Sequence, residues 1–116
     1  MKNILFLLSI AAFSWACESR TYEEISDQTP APVVVKYTSD VQPLVDANCL
    51  SCHSANGSAS YFPLTEYSQV KNSINNIIDR IQRANGDPQK MPQGGSLSTS
   101  QINIFVKWKA DGLLEN

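Results

Sequence analysis

The chain has 116 residues, with nine basic and eleven acidic side chains, one histidine and two methionines. That length admits one small domain plus tails, and such a domain buries limited apolar surface and gains from a staple or a metal. The net charge of −2 excludes the basic footprint of a nucleic-acid binder, and the single histidine, His53, removes most multi-histidine metal chemistries.

Residues 1–16 read as a secretory signal peptide. Lys2 precedes an apolar run from Ile4 to Phe13 broken only by Ser9, and the small residues Ser14 and Ala16 flank Trp15. The run is about half the ~20 residues a membrane span needs. Cleavage after Ala16 leaves Cys17 first, an arrangement that resembles a bacterial lipoprotein, although Ser14 stands where that motif carries an aliphatic residue. A thioether to lipid at Cys17 would remove a thiol that is a liability in an oxidising compartment. The expectation is an exported protein of the bacterial periplasm or cell envelope, anchored to a membrane by lipid. Ordinary cleavage at the same bond, giving a soluble periplasmic protein with a spare Cys17, is the alternative. Residues 17–35 then form a flexible tether. Glu18, Glu23, Glu24 and Asp27 make it acidic, and Pro30 and Pro32 keep it from helix. Fully extended, it reaches at most roughly 60 Å. Val33–Val35 is a candidate extended segment laid against the domain.

Residues 36–116 are the expected folded unit. A first helix begins near Ser39 or Asp40, both good caps, with Pro43 in its first turn. Val41, Leu44, Val45 and Asn48 lie along one side, and the helix runs into Cys49-Leu50-Ser51-Cys52-His53. A C-x-x-C-H run is the attachment signature of c-type haem. Two thiols can add across the two vinyl groups of one porphyrin, and the adjacent imidazole can reach the iron from one face. A Ser-, Asn- and Gly-rich loop follows to Pro63, with Gly57 free to adopt shapes other residues avoid. Tyr61, Phe62 and Leu64 offer apolar bulk for a porphyrin edge.

Thr65 is the candidate cap of a second helical stretch. Val70, Ile74, Ile77, Ile78 and Ile81 recur at helical spacing, while Asn72, Ser73, Asn75 and Asn76 weaken the middle enough to split it into two shorter helices. Gly86 and Pro88 are its stop signals. Met91 lies in Lys90-Met91-Pro92-Gln93-Gly94-Gly95 and is the only methionine beyond the initiator. Its thioether is the candidate second ligand to a haem iron, and as a soft, neutral donor it favours the reduced state. The last helix opens on a capping box, Ser98 with Gln101, and a hydrophobic staple, Leu97 with Ile102. Ile102, Phe105, Val106 and Lys109 share one face; Gln101, Ile104, Phe105 and Trp108 share the next. Phe105 and Trp108 read as packing residues, Lys107 and Lys109 as solvated. Gly112 is the candidate terminator.

In these features the chain resembles the small bacterial monohaem cytochromes c. The likeness runs over about eighty residues: Val41-Gln42-Pro43 into Cys49–His53, then Leu64-Thr65, then Met91-Pro92-Gln93-Gly94-Gly95, then Leu97-Ser98 and Trp108. The resemblance implies an all-α cytochrome c-like fold of three to five helices around one covalent haem c, the first and last helices crossing over it. It implies a one-electron carrier, not an enzyme, that exchanges electrons with a membrane or periplasmic redox partner through a partly exposed haem edge. Cys49 and Cys52 would hold the haem, with His53 and Met91 as axial ligands. A backbone carbonyl after the motif would orient His53, for which Phe62 and Pro63 are candidates.

Four other readings compete. A redox dithiol at Cys49 and Cys52 belongs near a βαβ pattern, which the sequence lacks. A structural zinc site needs four ligands, and no second histidine exists. A haem enzyme or ligand sensor with an open sixth position needs a distal His or Arg, for which Arg80 and Arg83 are the nearest arginines. The chain could also serve as the electron-transfer subunit of a larger oxidoreductase.

Overall fold

A computed structural model describes residues 34–116. The signal segment, Cys17 and all of the tether before Val34 lie outside the described residues. Those described form helices joined by turns, with no strand among them, as an all-α chain requires. No helix among them is long and apolar enough to cross a membrane.

A π-helical turn, Tyr37–Val41, leads directly into α1 (Gln42–Asn48). Pro43 explains the wide turn. It has no N–H for the Ser39 carbonyl four residues back, and its ring crowds that carbonyl in an α geometry. The chain therefore turns helical three residues before the expected caps. Neither Ser39 nor Asp40 caps it from outside. Instead Asp40 Oδ2 reaches back to accept the Lys36 N–H at 2.9 Å. Val41 and Val45 are fully buried, and Asn48 Nδ2 donates to the Leu44 carbonyl along the helix.

The isoleucine stripe does divide in two, α2 (Tyr67–Asn72) and α3 (Ile74–Ile81), with the break at Ser73. Thr65 is not the cap of α2. Glu66 occupies that position, and Gln69 Oε1 folds back to accept the N–H groups of both Thr65 and Glu66. The helix α3 ends at Ile81, five residues short of Gly86, because the following loop returns to satisfy its terminal carbonyls: Met91 N–H donates to Arg80 O at 3.1 Å. Val70, Ile74, Ile77 and Ile81 are buried in a single core with Leu64, Leu97, Phe105 and Trp108.

The last helix, α4 (Thr99–Ala110), starts as its capping box dictates. Ser98 Oγ accepts the Gln101 N–H and Gln101 Oε1 accepts the Ser98 N–H. Of the two candidate faces, the one carrying Ile104, Phe105 and Trp108 turns inward; Val106 is exposed and only Ile102 of the other side joins the core. Gly112 ends the helix at φ +92°. Its N–H bonds Lys109 O while that of Leu113 bonds Trp108 O, a Schellman motif.

Residues 113–116 then tie three elements together. Leu114 O accepts the Trp108 Nε1–H and the Tyr37 N–H, and Leu113 O accepts the Tyr67 hydroxyl. The rings of Tyr37, Tyr67 and Trp108 meet edge-on or tilted, with centroids 5.3 to 6.2 Å apart. Val35, the last residue of the candidate extended segment, is fully buried against the domain. Its N–H donates to Asp111 Oδ2 at 2.8 Å, and that bond, with Lys107 as a second partner, holds the Asp111 carboxyl below its ordinary value.

Candidate functional site

The Cys49–His53 run sits on a tight turn at the end of α1. The Cys49 carbonyl accepts the N–H of Cys52 at 3.2 Å and of His53 at 2.9 Å, so the backbone from Cys49 to His53 curls around one oxygen. Both cysteines are free thiols, Cys49 half-buried and Cys52 exposed. Burial pushes the Cys49 thiol up to about 11, so in the protein alone it is protonated at neutral pH.

His53 is fixed at two points. Its carbonyl accepts the Leu64 N–H at 2.9 Å, and its Nδ1 lies 2.8 Å from the Phe62 carbonyl. A carbonyl can only accept, so Nδ1 carries the proton in that bond. In the neutral ring Nε2 then bears the free lone pair. The Phe62 ring stands edge-on to the imidazole, centroids 5.8 Å apart at 74°. Of the two candidate carbonyls, Phe62 is the one that orients His53.

Gly57 has a role that its sequence position does not announce. A Cβ there would stand 2.1 Å from the Cys52 carbonyl oxygen, which Ala59 N–H also approaches at 2.9 Å. The loop closes over Cys52 only because position 57 has no side chain. Gly57→Ala is expected to force Cys52 and its loop apart and to cost about 1–3 kcal/mol of stability by overpacking. Denaturant unfolding measures this, and a variant as stable as wild type would contradict it.

Cys49, Cys52, His53 and Met91 all line one cavity of about 630 Å³, within the ~300–1,000 Å³ common for cofactor sites. Its apolar wall comes from Phe62 and Leu64 after the motif, Ile77 and Ile81 on α3, Pro92 and Leu97, with the highly exposed Tyr61 at the edge. Met91 reaches it from the loop after α3, through a cis peptide bond to Pro92. A second hollow, about 730 Å³ between Asn85–Lys90 and Pro92–Ser96, has no aromatic wall and none of the four candidate ligands.

Arg80 and Asn76 also line the cavity, although Asn76 by sequence only weakens the helix. Their spacing with Ile77 and Ile81 puts all four on one side of α3, a signal available from helical periodicity alone. Arg83 does not reach the cavity and pairs with Asp79 and Asp87 instead.

The residues fit a covalent haem. Two thiols, one imidazole presenting Nε2 and one thioether converge on a largely apolar cavity. The competing dithiol belongs beside a βαβ unit, and the described residues contain no strand. Among the described residues no three His, Cys, Asp or Glu side chains group to hold a metal ion directly, which leaves zinc short of its four ligands. No family model, curated protein or solved structure matches the chain.

Proposed function

We propose that this chain is a monohaem c-type cytochrome, a one-electron carrier of the cell envelope with a cytochrome c-like fold and His/Met ligation. The observation that carries this reading is the shared cavity of Cys49, Cys52, His53 and Met91, with His53 held by Phe62 O so that Nε2 is the free nitrogen. Bound haem supplies a one-electron iron couple.

The chain supplies the rest. Cys49 and Cys52 would hold a haem through thioether bonds, and His53 and Met91 would supply nitrogen and sulfur donors to its iron. The Phe62 carbonyl fixes the His53 proton at Nδ1, which would make the imidazole a stronger donor. Ile77, Ile81 and Leu97 exclude water, which together with the thioether favours the reduced state. Tyr61, exposed beside the cavity, marks the edge where a redox partner protein would approach. Residues 17–35, with Cys17 as a lipid anchor and the rest as a tether, would keep the domain within reach of a membrane-bound partner.

A haem enzyme or sensor with an open sixth position draws support from one observation, the presence of Arg80 in the cavity wall. The wild-type exported protein separates the readings. The carrier reading expects one haem per chain by intact mass, a thioether-type pyridine haemochrome, and the weak far-red methionine-to-ferric-iron band. A coloured protein without that band, binding carbon monoxide in native buffer, would establish the open-site reading. A colourless mature protein would end both.

A further inference from the structure

Resting on the haem reading above, we propose that Arg83 is a positioning residue for Met91: it clamps the 84–91 loop to the end of α3 and thereby holds the thioether at the cavity. Met91 has no helix of its own. Its place is set by how that loop is fastened, and the fastenings converge on Arg83. The guanidinium Nη1 donates to Asp87 Oδ2 in the loop at 3.1 Å, while Nε and Nη2 donate to Asp79 Oδ2 on α3 at 3.1 and 2.9 Å. The Arg83 carbonyl accepts Lys90 Nζ. One residue further on, Met91 N–H reaches Arg80 O at 3.1 Å.

Asp87 is itself braced, its Oδ1 accepting the Gln89 N–H at 2.7 Å. Two links thus reach α3, Arg83 to Asp79 and Met91 N–H to Arg80 O, and Arg83 joins Asp79 on the helix to Asp87 in the loop with a planar fork that lysine cannot reproduce. The Arg83 and Asp87 side chains are 29% and 31% exposed, enough shielding for the pair to outlast a freely solvated one.

Arg83 stands two residues past the end of α3, so the Asp79 pair ties it back to the helix and the Asp87 pair ties it onward into the loop. Cutting either end opens the bridge, and the test is made on the mature haem-loaded protein with the variants Arg83→Gln, Asp87→Asn and Asp79→Asn. Three quantities are read: the urea concentration at which the far-red band is half lost, the exchange rate of the Met91 amide in the reduced protein, and the global unfolding midpoint by circular dichroism.

The clamp predicts that Arg83→Gln and Asp87→Asn lose the band at lower urea and speed Met91 amide exchange by about threefold or more, as loss of a loop contact should. Asp79→Asn, which cuts the helix end of the bridge, shows both losses as well. Added salt narrows the gap between wild type and Asp87→Asn by screening the pair. Band stability and amide exchange unchanged in Asp87→Asn or in Asp79→Asn, or a fall in the global unfolding midpoint as large as the fall in the band midpoint, would overturn the clamp while leaving Met91 as ligand. Absence of the far-red band from the wild-type protein would instead remove Met91 as ligand, and the clamp with it.

Discussion

The Met91→Ala protein is expected to keep its covalent haem, lose the far-red band and bind carbon monoxide in the reduced state without denaturant. Its midpoint potential is expected to fall by on the order of 0.1 V or more, within the ~0.8 V range that axial ligation controls. The reason is chemical. The thioether is a neutral, polarisable donor that stabilises ferrous over ferric iron. Met91 is the only methionine after the initiator, so the chain contains no substitute of the same kind. Alanine leaves water or an external ligand to take the position. Optical titration and carbon monoxide binding check each part, and an unaltered spectrum and potential would show that Met91 serves only to pack the loop.

The largest effect on stability is expected at Trp108. This side chain is fully buried, contacts the rings of Tyr37 and Tyr67, and donates its Nε1–H to Leu114 O at 2.8 Å. Trp108→Ala removes the contact surface between α4, the first helical turn and the carboxyl-terminal segment at once. The expected loss is about 3–5 kcal/mol, a large part of the ~5–15 kcal/mol that holds a typical domain folded. Trp108→Phe retains most of the packing and gives up the donor, for roughly 1 kcal/mol or somewhat more. The Leu114 carbonyl keeps its bond from Tyr37 N–H in either case. Denaturant unfolding of the haem-loaded proteins measures both, and a Trp108→Ala loss below about 1 kcal/mol would contradict the burial argument.

Agreement between sequence and structure holds where a local signal has no competitor within a turn of it or across the fold. The Ser98–Gln101 box, the division of the isoleucine stripe at Ser73 and the stop at Gly112 depend on residues within one or two turns of each other, and each appears where the residues themselves require it. The caps at Ser39, Asp40 and Thr65 do not. Pro43 moved the first helical turn back to Tyr37, and Gln69 made Glu66 a better start than Thr65. The stop at Gly86 was overtaken because the loop carrying Met91 returned to the carbonyl of Arg80.

In the candidate site, Cys49, Cys52 and His53 stood out by their local C-x-x-C-H spacing and Met91 by scarcity, being the only methionine after the initiator. That the four line one cavity is what the structure adds. What depended on the folded chain was contact across sequence distance: which carbonyl takes the His53 proton, why position 57 has no side chain, whether Arg80 or Arg83 faces the cavity, and how residues 113–116 lock Trp108 in place. Local spacing encodes chemistry and helix ends. The choice among equivalent partners is made only when burial leaves each buried donor with one acceptor in reach.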